Sequence, residues 1–241
     1  MTALKTPEKT SRRQELRRNW LVDLYGRLLL LYEDNRALLY GIGAAILALA
    51  LAIPGYMYYQ QQQAEQANQM LGSILPVYEQ GNFDQALNGT SEAAGLLEIA
   101  NQYDGTSAGN LATFYAANAL YQQQEYDRAL TFYQRFEKQN DFVGASALAA
   151  EASIYETRGE FAQAGTHFEE AAAQYDNELT APRYLVEAGQ AYEEAGDYAS
   201  AVAAYQRLLD EYPDSDQATE AERYLARAQA RQAGTAGSSS S

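Results

Sequence analysis

Apolar positions along this chain follow two regimes. From Ala37 to Tyr59 the sequence ALLYGIGAAILALALAIPGYMYY holds 23 residues without one charged side chain. As a helix it extends roughly 34 Å at about 1.5 Å per residue, enough to cross a hydrocarbon core of about 30 Å, so the pattern predicts a single membrane-spanning helix over 37–59. A buried core helix is the alternative, although soluble core helices seldom run so far without a polar face. Tyr40 at one end and Tyr56, Tyr58 and Tyr59 at the other fall at headgroup depth, and Pro54-Gly55 predicts a kink near the second end. Elsewhere the apolar residues recur at three and four. Leu16, Trp20, Leu24, Leu28 and Leu31 make an amphipathic helix within 14–32, readable as a membrane-surface helix or as a lead-in to the anchor. Gln60 to Gln69, QQQQAEQANQ, has helix formers but no apolar stripe, which predicts a polar stalk over 60–71 or a flexible spacer.

Further along, Leu185, Ala188, Gly189 and Tyr192 form one stripe, Gly196-Asp197 interrupts, and Ala201, Tyr205 and Leu208 form a second. This predicts a helix, a turn and an antiparallel helix. Small Gly189 and Ala201 admit close approach, tyrosines fill the gaps, and Pro213 stops continuation. The unit recurs. QEYDRALTFYQRF from Gln124, GEFAQAGTHFEEA from Gly159 and GDYASAVAAYQRL from Gly196 align without gaps, their alanines Ala129, Ala164 and Ala201 being 35 and 37 residues apart. GNFDQALNG from Gly81 repeats the opening. One helix pair cannot bury its own apolar surface, so stacked neighbours must supply the core. The expected fold is all-α: a transmembrane helix followed by an α-solenoid of helix pairs over 72–232. Ala221, Tyr224, Leu225 and Ala228 place a terminal helix over 216–232, and 233–241 is expected as a disordered tail.

Charge orients the anchor. Residues 1–36 carry eight Lys or Arg against five acids, and the next basic residue after Arg36 is Arg128. By the positive-inside rule the N-terminal segment stays in the cytoplasm and the repeats lie on the far side. Small residues at Ala48-Leu49-Ala50 and Ala50-Leu51-Ala52 have cleavage spacing, but the long lead and the apolar run past both favour an uncut anchor. The chain has no cysteine, which excludes a disulfide framework, a thiolate metal site, a cysteine nucleophile and a lipid-bearing cysteine. Its only histidine, His167, excludes a His-based metal cluster within one chain. A formal net charge of −15 argues against nucleic acid as a partner. Adjacent acids such as Glu169-Glu170 and Glu193-Glu194 diverge on a helix, so no catalytic pair, cofactor or small-molecule substrate is expected.

The last unit resembles the tetratricopeptide repeat family, matched by Gly189, Tyr192, Ala201, Tyr205 and Pro213. Other units depart from it. Glu151 stands where the family prefers an apolar residue and Thr113 where it prefers tryptophan. The steps exceed the family's length of about 34, with longer loops expected around Asp141 and Asn177. Between Asn88 and Ala108 a longer passage replaces the second helix of the first unit. The resemblance implies a groove lined by first helices: Phe114, Asn118, Tyr121 and Gln122, then Ala149, Ser153 and Glu156, then Val186, Gln190 and Glu193. Aromatic at one end and acidic-to-amide at the other, it suits an extended or helical segment of another protein, unless Phe114 and Tyr121 merely pack between repeats. The family's clamp for a terminal carboxylate is not visible, since Lys138, the one lysine past the anchor, falls in a loop.

In layout the chain resembles bacterial inner-membrane proteins that serve as ancillary Sec translocon subunits or as periplasmic coordinators of cell division. Gly105 to Leu120 is similar to passages in repeat proteins of the Bacteroidetes and relatives. The resemblance implies a non-enzymatic adaptor or chaperone-like scaffold, anchored in the cytoplasmic membrane with its repeats in the periplasm and other proteins as partners. The alternative is a permanent accessory subunit of a larger membrane complex, with Gly41, Gly43 and Ala44 as a helix-packing face.

Overall fold

The computed structural model describes residues 36–238. The basic segment with its amphipathic stretch lies outside them, as do residues 239–241. The described residues are helical throughout, apart from turns and one isolated bridge, and the chain divides into two compact units, Met1–Gln61 and Gln62–Ser241.

In the first unit the described chain is the opening part of helix α1 (Arg36–Glu79), which continues unbroken through Pro54 and Gly55. It is long and apolar enough to cross a membrane, and none of its apolar stretch is buried. Leu47, Leu51 and Met57 are each more than three-fifths exposed. Surface of that kind is stable only in an apolar medium or against another apolar face.

The second unit is a run of helix pairs. The last turns of α1 belong to it: Ala67, Leu71 and Ile74, spaced four and three apart, are buried in the core. The stretch expected as a stalk therefore contributes Ala67 and Leu71 to packing. Its apolar stripe begins with an alanine among glutamines, too weak a signal to stand out by hydrophobicity. Two short helices follow, α2 (Phe83–Asn88) and α3 (Leu96–Gln102), joined through a loop in which Gly89 and Ala94 form an antiparallel bridge. They stand where other units have one second helix. Next come α4 (Ser107–Gln122) with α5 (Tyr126–Arg135), α6 (Phe142–Thr157) with α7 (Phe161–Gln174), and α8 (Ala181–Ala195) with α9 (Tyr198–Glu211). Helix α10 (Ala218–Ser238) packs on α9 and runs past the expected end at Gln232.

One turn recurs inside every pair. Gly81, Gln124, Gly159 and Gly196 all adopt a left-handed conformation, with φ of 78°, 63°, 74° and 76°. Each donates its N–H to the carbonyl three residues back, and the next residue donates five back: Gly196 to Glu193 and Asp197 to Tyr192, for example. These bonds satisfy the last carbonyls of the first helix and reverse the chain. Glycine accepts this conformation without a Cβ penalty; Gln124 does not. First helices open on side-chain caps at Thr106 and Asp141, which accept from Gly109 N (3.0 Å) and Gly144 N (2.8 Å).

The close approach expected at Gly189 is present. A Cβ built there would lie 2.3 Å from the Tyr205 ring, and one on Gly165 would lie 2.7 Å from the Tyr192 ring. Each tyrosine rests on a bare patch of the preceding helix, which is how Tyr205 becomes fully buried. Its phenol is pushed far above its ordinary range by burial, and then by the charge and hydrogen bond of Glu193.

Candidate functional site

First helices α4, α6 and α8 set the polar positions in register. Asn118, Ser153 and Gln190 form one column at steps of 35 and 37 residues, and Tyr121, Glu156 and Glu193 form the next. Registry places equivalent residues on equivalent faces. It does not decide what each one touches.

Several predicted groove residues are engaged within the fold. Phe114 packs inside its own pair, with ring centroids 5.4 Å from Phe136 and 6.3 Å from Tyr133. Asn118 Oδ1 accepts from the Tyr133 hydroxyl at 2.6 Å, and Val186 is buried at 8% exposure. Glu193, only 5% exposed, accepts from Arg227 Nε at 2.9 Å, from the same guanidinium's terminal nitrogen at 2.6 Å, and from the Tyr205 hydroxyl at 3.0 Å. A carboxylate with three charge-assisted or phenolic donors is no longer a free groove residue.

Others do come together. Half-buried Tyr121 stacks edge-on to Tyr126 at 5.4 Å, and its hydroxyl lies near Ser153 and Glu156. Burial raises its phenol, with the neighbouring Tyr126 and Glu156 adding to the rise. Ser153 donates to Ala149 O at 3.0 Å, as a hydroxyl on the same helix. Glu156 is half-buried, burial raises its carboxyl above the ordinary range, and among the described residues no cation pairs with it. Gln122 and Gln190 are exposed, Gln190 lying near the Tyr224 hydroxyl of α10.

One residue of this face was not anticipated. Glu187 lies one turn before Gln190 on α8 and is close enough to Glu156 that the Glu156 charge opposes ionisation of Glu187. Burial is the main reason its own carboxyl is raised, partly offset by Arg183, whose Nε is 3.6 Å away. The i, i+3 spacing from Gln190 was the available signal. Tyr121, Ser153, Glu156, Glu187 and Gln190 thus form a phenol-amide-carboxylate face across three first helices.

The hairpin interior holds a second ionic cluster. Glu151, 2% exposed, sits 2.7 Å from Lys138 Nζ, which also donates to Tyr133 O at 2.7 Å. His167 stacks on Tyr155 at 5.0 Å with Nδ1 3.5 Å from carboxylate oxygens of Glu151 and Glu170. Lys138 is therefore held inward, neutralising the one first-helix position where an acid replaces an apolar residue. Among the described residues no group of three or more His, Asp or Glu is arranged to hold a metal ion.

The tetratricopeptide repeat family matches this chain at residues 111–141 and again at 184–215, which are α4 with α5 and α8 with α9. The residues between, with Glu151 and His167, fall outside both matches. Among solved structures, the nearly identical TPR-like repeats of a Podosopora anserina protein described as a candidate kinesin light chain align over 71% of this chain and 89% of theirs, at 13% identity and a TM-score of 0.49. A second structure of that protein, carrying one substitution, aligns over 71% and 88% with the same identity and score. No curated protein matches the chain.

Proposed function

We propose that this protein is a membrane-anchored scaffold that binds a segment of another polypeptide on the face formed by α4, α6 and α8. Tetratricopeptide repeats are protein-interaction modules, and two of them are matched here. The observation that carries the reading is the Tyr121–Ser153–Glu156 grouping. Three side chains from two successive units meet on one face, and none of them fills the core. Phenol and amide groups beside half-buried carboxylates give a chain segment both anchoring surface and backbone hydrogen bonds.

The anchor is the apolar part of α1. The basic excess in residues 1–36 supports an N-terminus in the cytoplasm and a repeat unit on the outer face of a bacterial inner membrane. A scaffold there meets exported chains or envelope-assembly factors, and a role beside the protein translocon or in envelope assembly follows as the reading we adopt. A photoreactive residue at Tyr121 in living cells, with mass spectrometry of the adducts, tests it. Adducts to exported or assembly proteins are expected. Adducts confined to cytosolic proteins would overturn the topology, and a single partner at fixed stoichiometry would instead favour a permanent accessory subunit.

A further inference from the structure

Each junction between successive first helices pairs one position of the earlier helix with one of the later. At the first, Tyr121 lies near Ser153. At the last, Glu193 meets Arg227, which occupies in α10 the place that Gln190 holds in α8, 37 residues earlier. Helix α10 thus acts as the first helix of a further unit, and its guanidinium docks bidentate on the glutamate before it, over the Tyr224 ring at 4.8 Å. The middle junction has the same glutamate, Glu156, also 37 residues earlier, but Gln190 in place of the arginine. Phe168 stands where Tyr205 supplies its hydroxyl to Glu193, so that donor is missing as well. A second carboxylate, Glu187, then lies close by with only the solvent-facing Arg183 to offset it.

Among the described residues the same fold position therefore appears once filled by a guanidinium and once without one. We propose that the junction of Glu156 and Glu187 receives an arginine side chain of the bound polypeptide, held as Arg227 is held by Glu193. A guanidinium suits the site because its planar fork satisfies both oxygens of one carboxylate while its charge relieves the repulsion between two. Burial holds both carboxyls above their ordinary range, and the Glu156 charge adds to the rise at Glu187, so arginine binding draws them down and releases protons. The inference rests on the reading of this face as a protein-binding surface.

The test uses the full chain in mild detergent and a displayed library of random dodecapeptides. Selected binders are expected to carry arginine, and replacing that arginine by citrulline should weaken binding about tenfold or more, the range for a hydrogen-bonded charge. The double variant Glu156→Gln, Glu187→Gln should lose the same preference without any fall in its thermal unfolding midpoint. Gln190→Arg, at an exposed position, should fill the site from within, abolishing arginine selection and raising the midpoint. Binders without arginine that are lost on Tyr121→Ala would overturn the arginine inference and leave the surface standing. Binders indifferent to every one of these substitutions, or none at all, would overturn both.

Discussion

The junction between α8 and α10 and the junction between α6 and α8 carry glutamates at one repeat position and treat them oppositely. Glu193 is buried and locked by Arg227 and Tyr205; Glu156 is half-exposed and, among the described residues, no cation pairs with it. Glu151, deep in the α6–α7 hairpin, belongs with the locked kind through Lys138. An acid in a helix-pair stack can thus hold the core together or remain available to a ligand, and the outcome depends on whether a cation from another segment reaches it.

Removing the cations should separate the two kinds most sharply. Lys138→Ala strands Glu151 in a site where it is 3% exposed, and a loss of about 3–5 kcal/mol is expected, the range for an uncompensated buried charge. The double variant Lys138→Met, Glu151→Leu should recover most of that loss, because an apolar pair removes the charge altogether. Chemical denaturation of the three proteins measures both effects; a double variant as unstable as the single would break the assignment.

Arg227→Ala should cost less, about 2–3 kcal/mol, since its side chain is 46% exposed and Arg231 remains 3.6 Å from Glu193. Glu156→Ala in parallel should move the unfolding midpoint hardly at all. Equal losses from the two would show that the open junction is locked as well.

At the turns, Gln124→Gly should stabilise the repeat unit by about 1 kcal/mol by removing the left-handed strain that its counterparts Gly159 and Gly196 avoid. A loss of stability on denaturation would mean that the Gln124 side chain makes a contact outweighing that strain.

The smallest effect is in pH. Glu156 and Glu187 have carboxyls raised in the folded state, so the folded protein binds protons more tightly than the unfolded chain between the ordinary carboxylate range and the raised one. Their ionisation therefore opposes folding at neutral pH, and stability should rise as pH falls into that window. Asp197 has the opposite sign: the Ser200 side chain and N–H hold its carboxyl low, so its contribution is present above the ordinary range and fades as pH falls through the depressed one. Thermal midpoints of the wild type and of Glu156→Gln, Glu187→Gln should converge on mild acidification. A gap that stays constant would sink the claim that the folded state raises these carboxyls.

The helix pairs were legible in the chain because their signals are local. Alternating stripes at three and four, a glycine or glutamine two residues before an aromatic, and Pro213 after the last pair each act within a turn or two of where they stand. The resemblance carried by Gly189, Tyr192, Ala201 and Tyr205 points to the fourth unit, one of the two segments that match the family. The core role of Ala67 and Leu71 was hidden, because alanine and glutamine leave no hydrophobic contrast. The groove positions came from the family resemblance, which put Tyr121, Ser153 and Glu156 on one face together with Phe114, Asn118 and Glu193; it did not distinguish the side chains that packing engages, Phe114, Asn118 and Glu193, from the others.

What the amino-acid order determined by itself, then, is an all-helical chain of repeating pairs and one helix of length and apolarity sufficient for a bilayer, since both follow from residue spacing along a single helix. Which glutamate is closed and which is open was decided only in three dimensions. Glu156 and Glu193 look alike along the chain, and the guanidinium that distinguishes them arrives from 34 residues beyond Glu193 on a helix packed against α9. Periodicity tells a residue which way to face. Only packing brings, or fails to bring, the partner that answers its charge.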